Sequence, residues 1–138
     1  MGKGLLDGVK VLDLSRVLAG PYCGMMLADM GADVIKIEIP GKGDDARGNF
    51  PIVNGESAYY MNLNRNKKGM TLNLKSEKGK EILRRLVADS DILIENYRPG
   101  VMEKLGLGYE DLKKINPGLI YGCVSGFGHY GPYSQRAG

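Results

Sequence analysis

Seven cationic side chains stand in or beside the turns of this sequence: Arg16, Lys67, Lys68, Lys75, Arg98, Lys104 and Arg136. Arginine offers a planar fork of donors and lysine a compact point charge, so the set suits a ligand carrying phosphates. Taken singly, each is equally well explained as solvated surface charge. Arg98 stands apart, because it follows a strand end and precedes Pro99-Gly100, where loops carry function more often than packing. His129 is the only histidine, in a glycine-rich stretch, and no Ser, Cys or Asp is tied to it by spacing. A surface position is expected for it. Asp44-Asp45 stand between glycines and read as an exposed loop. No metal-ligand spacing appears, and no nucleophile is marked by spacing alone.

Those residues need a scaffold, and Val9–Glu38 supplies its core unit. Val9, Val11, Leu12 and Leu14 make an apolar run of the kind carried by a strand covered on both faces. Pro21 suits a first helical turn. Cys23, Met26, Leu27 and Met30 then recur at helical spacing, which predicts the helix's inner face. Gly31 fits the position past the helix end, and Val34–Ile37 form a second strand. A strand–helix–strand unit predicts parallel pairing. Ligands of open α/β sheets sit beyond the carboxyl ends of the strands, so the turn Arg16–Pro21 is the place to look. Glu38 falls where a dinucleotide fold keeps its ribose-binding acid, but the G-x-G-x-x-G fingerprint is absent, which argues against a nicotinamide cofactor.

Downstream, residues 39–57 form a long Gly-, Pro- and Asp-rich loop, and Ala58–Leu63 is a short apolar piece of undetermined type. Met70–Lys75 alternates with period two and reads as a strand. Ser76 caps a helix to about Ala88, with Ile82, Leu83, Leu86 and Val87 as its buried stripe. Asp91–Ile94 reads as a strand, 101–105 and Tyr109–Ile115 as short helices, and Leu119–Val124 as a last strand. The alternation is that of an α/β protein with a parallel sheet. Three strand ends then present Arg16–Pro21, Asn96–Gly100 and Ser125–Gly138 along one edge.

Composition sets limits. The chain has 138 residues, 43% hydrophobic and 25% charged, with a net charge of +3. That balance is too slight to argue for nucleic acid, and no stretch is apolar enough to span a bilayer. Cys23 and Cys123 each lie in apolar surroundings and are expected as buried thiols in a reducing, cytoplasmic setting.

Five segments together resemble one family: DLSRVLAGP at 13–21, GADVIKIE at 31–38, NRNKK at 64–68, ENYRPG at 95–100 and SGFGHYGPY at 125–133. In order and spacing they are similar to the class III (CaiB/BaiF-type) coenzyme A-transferases, along essentially the entire chain. The resemblance implies a Rossmann-like domain binding coenzyme A or its thioesters as substrate, with no prosthetic group. It implies ligand contacts from Arg16, Leu18 and Ala19, from Leu72, Asn73, Leu74 and Lys75, and from Asn96, Tyr97 and Arg98. Lys104 and Arg136 complete that set. Ile39-Pro40 stands where family members carry a contacting arginine, and Leu18 where some carry glutamine. The family's catalytic aspartate falls beyond Gly138, so the resemblance makes residues 1–138 the N-terminal part of a chain two to three times longer. Acyl-CoA and carboxylic acid substrates, and an interlocked homodimer, follow as expectations. Two other readings stay open, an α-methylacyl-CoA racemase of the same family and a non-catalytic coenzyme-binding fragment.

Overall fold

The computed structural model describes residues 4–136. In chain order the elements are β1 (Lys10–Asp13), α1 (Ala19–Asp29), β2 (Asp33–Glu38), β3 (Ile52–Val53), β4 (Glu56–Ser57), α2 (Ala58–Asn64), β5 (Lys68–Thr71), α3 (Glu77–Ala88), β6 (Ile92–Glu95), α4 (Val101–Lys104), α5 (Tyr109–Leu112) and β7 (Ile120–Cys123). Five strands form one sheet in the order β5-β2-β1-β6-β7, and every neighbouring pair is parallel. From β1 the chain builds outward through β2 to β5, then returns to place β6 on the other side of β1. This reversal is the switch point at which doubly wound sheets open a crevice. The expected α/β class and parallel sheet are therefore observed. Among the described residues no helix is long and apolar enough to cross a membrane.

The two faces of the sheet differ. On one, Leu12, Leu14, Ile37 and Leu93 pack against Leu83 and Val87 of α3, Met102 of α4 and Leu112 of α5, making an apolar core. On the other, Val11, Val34 and Ile94 meet Ala28 of α1 and Ala32. Toward the carboxyl ends of β1 and β2 this second face turns polar. Asp13 and Lys36, paired in register, are both fully buried.

Several local expectations need correction. The inner face of α1 is Gly20, Pro21, Gly24, Met25 and Ala28, while Cys23, Met26 and Met30 are exposed and Leu27 is half-buried. Small residues win the inner face because the helix sits so close to β1. A Cβ on Gly20 would lie 2.2 Å from Ser15 Cβ, and one on Gly24 2.7 Å from the Asp13 carboxylate. Both cysteines are exposed, Cys23 because of this rotated face and Cys123 because β7 is an edge strand. The strand placed at Met70–Lys75 ends at Thr71; Asn73 and Ser76 close a turn into α3 instead, with Ser76 N–H donating to the Asn73 carbonyl at 3.1 Å. Ile82 lies outside the α3 stripe and is 43% exposed. Ala58–Leu63 proves helical, started by the Ser57 hydroxyl accepting from Tyr60 N–H.

Leu93 is 0% exposed at the sheet centre. Leu93→Ala in the full-length protein is expected to cost about 2–5 kcal/mol in chemical denaturation. Ile82→Ala, on an exposed position, is expected to cost about 0.5 kcal/mol or less.

Candidate functional site

The site begins where β1 leaves the sheet. Asp13 accepts from Ser15 N–H at 3.0 Å and from the Ser15 hydroxyl. Its second oxygen takes the Lys67 ammonium at 2.7 Å. Lys67 also donates to the Pro21 carbonyl at 2.8 Å and to Asn64 at 2.9 Å, so its three protons all find acceptors. Burial lowers the Lys67 pKa and the Asp13 charge works against that shift. Lys67 thus holds α1 and α2 to β1; with both charges buried, it is not a free phosphate ligand. Lys68, in the same cationic set, pairs at 2.7 Å with Asp33, which opens β2 at the opposite edge of the sheet.

A second buried pair carries the turn itself. Lys36 donates to Asp44 at 2.7 Å and to the Ser15 carbonyl. The other Asp44 oxygen accepts from Val17 N–H at 3.0 Å and Ala46 N–H at 2.9 Å. Asp44 is 2% exposed, which corrects its reading as exposed loop; Asp45, beside it, is exposed. Asn96 closes the turn from the β6 side, accepting from Arg16 N–H and donating to the Arg16 carbonyl, both at 2.8 Å. Between these clamps Val17 has φ of 67°, a left-handed conformation that is costly for a β-branched residue. The surrounding bonds over-determine it.

Glu38 anchors the same loop from below. It accepts from Arg47 through two bonds of 2.8 Å, from the Tyr60 hydroxyl at 2.6 Å and from Asp44 N–H at 2.7 Å. Burial works to raise its carboxyl, but the bonds from Arg47, Tyr60 and Asp44 outweigh it and hold the pKa down at about 2. A carboxylate so occupied has little left for a ribose, which adds to the case against a nicotinamide cofactor.

Above this frame lies an open cleft of about 590 Å³ at the carboxyl ends of β1, β6 and β7. Arg16, Leu18, Ala19, Asn96, Tyr97, Arg98 and Arg136 all line it, together with Val124–Gly128 and Asp45. Arg16 stacks over Tyr97, its guanidinium carbon 5.3 Å from the ring centroid, and reaches Asp45 at 3.2 Å. Arg136 lies over Tyr133 at 4.2 Å. Among the described residues Arg98 and Arg136 make no ion pair. Three guanidinium groups therefore face one lining carboxylate. The first N–H groups of α1, which have no partner within the helix, start at Ala19 in the same cleft.

The other expected contacts lie elsewhere. Leu72 is buried in the core, and Leu74 packs half-buried against it. Asn73 holds the turn before α3 and Lys75 is exposed beside it. This stretch follows β5, two strands from β1 along the same edge, roughly 10 Å at ordinary strand spacing. Lys104 is exposed at the end of α4 and does not line the cleft. Sequence reasoning missed Lys36, Asp44 and the Asp13–Lys67 pair; for Asp13 and Lys36 the signal was charge inside otherwise apolar strands, and Asp44 and Lys67 lie outside the strands and gave none.

Asp44→Ala would leave the Lys36 charge buried without its partner. The expected loss is about 3–5 kcal/mol in urea unfolding of the full-length protein. Glu38 has a lower pKa folded than its ordinary 4.5, so its contribution is present above pH 4.5 and disappears as pH falls toward about 2. Unfolding midpoints across that range are expected to fall less steeply in Glu38→Gln than in the parent protein.

Comparison with known proteins agrees with this architecture. Residues 6–138 match the model of CoA-transferase family III. Human succinyl-CoA:glutarate CoA-transferase is 53% identical over 134 residues, 96% of this chain and 31% of that protein. Acetyl-CoA:oxalate CoA-transferase of Acetobacter aceti is 51% identical over 133 residues, covering 96% of this chain and 34% of the relative. The crystal structure of a CAIB/BAIF family protein from Brucella suis superposes with a TM-score of 0.93 at 50% identity, covering 99% of this chain and 37% of that one. The chain spans about a third of the length of the curated relatives it matches. With the family pattern running from residue 6 to residue 138 over a doubly wound sheet, this chain belongs to CoA-transferase family III.

Proposed function

We propose that the full-length protein moves coenzyme A from an acyl-CoA thioester to a free carboxylic acid, and that residues 1–138 are the N-terminal part of its coenzyme-binding domain. The observation that carries this reading is the cleft at the switch point, where Arg16, Arg98 and Arg136 meet the start of α1. An excess of guanidinium charge beside free backbone N–H groups suits a ligand with several phosphates. A long ligand also accounts for contacts so far apart. One end can reach the cleft while another reaches Leu72–Lys75.

The names of the relatives support a short dicarboxylic acid as acceptor, since glutarate, oxalate, D-citramalate and mesaconate all appear among them. In the family's chemistry an aspartyl carboxylate, expected beyond Gly138, attacks the thioester carbonyl and expels the coenzyme thiolate, leaving a mixed anhydride. The thiolate then attacks the aspartyl carbonyl, releasing the donor acid and leaving an aspartyl-CoA thioester that the acceptor carboxylate resolves. The residues described here hold the coenzyme during those steps. Tyr22, Met26 and Met61, between 42% and 50% exposed around α1 and α2, are proposed to be covered by the rest of the polypeptide or by a second copy of it.

The test uses the full-length protein with acyl-CoA and isotopically labelled dicarboxylic acid. Label appearing in the thioester supports a transferase. Coenzyme binding without exchange would instead leave a non-catalytic module. Arg98→Ala is expected to weaken coenzyme A binding by about 1–3 kcal/mol in calorimetry, and unchanged affinity would remove Arg98 from the site.

A further inference from the structure

Just outside the cleft lining, three side chains of different chemistry converge. Glu95 ends β6 and Cys123 ends β7, and the two are directly paired in the sheet. After Val124–Gly128 has run along the cleft, the chain brings His129 back to them. A carboxylate oxygen, the Cys123 sulfur and an imidazole nitrogen all lie within 4.8 Å of one another. Sequence spacing hides this set, because its members come from two strands and a loop.

As protein alone, the cluster is incompletely satisfied. Glu95 is 1% exposed; it accepts from Tyr97 N–H at 2.7 Å and is hydrogen-bonded to the Cys123 thiol. His129 Nε2 is enclosed and has no hydrogen-bond partner. A buried nitrogen left so is expensive and calls for an explanation.

We propose that Glu95, Cys123 and His129 form a binding site for a zinc ion. Zinc accepts sulfur, imidazole nitrogen and carboxylate oxygen together, at about 2.0–2.3 Å, in tetrahedral geometry. Three protein ligands leave one position for water. Binding replaces the thiol–carboxylate hydrogen bond: the Cys123 proton leaves to solvent, the thiolate and the Glu95 carboxylate coordinate, and the neutral imidazole gives its lone pair. Gly128, at positive φ just before His129, gives the backbone there the freedom to bring the imidazole to the ion. Cys123 is exposed, which gives the ion a way in. Occupancy would tie Val124–Gly128, one wall of the cleft, to the ends of β6 and β7. The site is independent of the coenzyme reading.

The experiment takes the full-length protein, treated with chelator and free of acyl-CoA, and titrates it with cobalt(II) as a spectroscopic probe. The expected result is a sulfur-to-cobalt charge-transfer band at Cys123, displaced by zinc. Cys123→Ser is expected to abolish the band and Cys23→Ser to leave it intact. His129→Gln, checked for native circular dichroism, is expected to weaken zinc binding roughly tenfold or more. A saturating titration with no thiolate band, a band that survives Cys123→Ser, or parental affinity in His129→Gln would each overturn the proposal.

Discussion

The buried contact between Lys36 and Asp44 is what the rest of this structure depends on. Taking two charges out of water is costly, and well-packed apolar side chains would hold the loop with equal or greater stability. They would not hold it in this shape. Asp44 is an acceptor for Val17 N–H and Ala46 N–H, and Lys36 is a donor to the Ser15 carbonyl. A pair of apolar residues offers none of these. The pair therefore contributes definition more than stability, fixing the backbone path from which Arg16 and Ala19 reach the cleft.

The same logic extends outward. Asp13 and Lys67 fasten the first turn of α1 and the end of α2, and Glu38 gathers Arg47, Tyr60 and Asp44 beneath. Each acid meets a base, so the network stays near neutral while holding several backbone groups. Close approach of α1 depends on it equally. Gly20 and Gly24 leave room for Ser15 and Asp13, and the helix start is brought to the strand end by the absence of two methyl groups.

Near-continuous apolar runs at Val11–Leu14, Val34–Ile37 and Ile92–Ile94, separated by helical stretches, are enough to read a parallel sheet and to locate the turn after β1. The convergence of Arg16, Asn96, Tyr97, Arg98 and Arg136 followed from strand-end geometry together with the family motifs. What escaped notice shares a cause. A lysine inside a strand, like Lys36, or in a turn, like Lys67, looks like surface charge until its partner, eight residues away for Lys36 or 54 for Lys67, is brought alongside. A helix that packs through glycine looks as though it packs through methionine, because hydrophobicity ranks side chains and not the room they need. Leu72 and Leu74, named with Asn73 and Lys75 as expected ligand contacts, turn their side chains to the core, Leu74 only half-buried against it.

The division of one sheet face into an apolar base and a charged upper half has a thermal consequence. Apolar burial loses strength on cooling, so Val11 and Val34 hold α1 less firmly in the cold. The desolvation cost of ion pairs falls on warming, so Lys36–Asp44 and Lys67–Asp13 become less expensive to keep as temperature rises. The end of the sheet that shapes the cleft is thus the half favoured by heat, and the opposite end sets how well the helix stays seated near freezing.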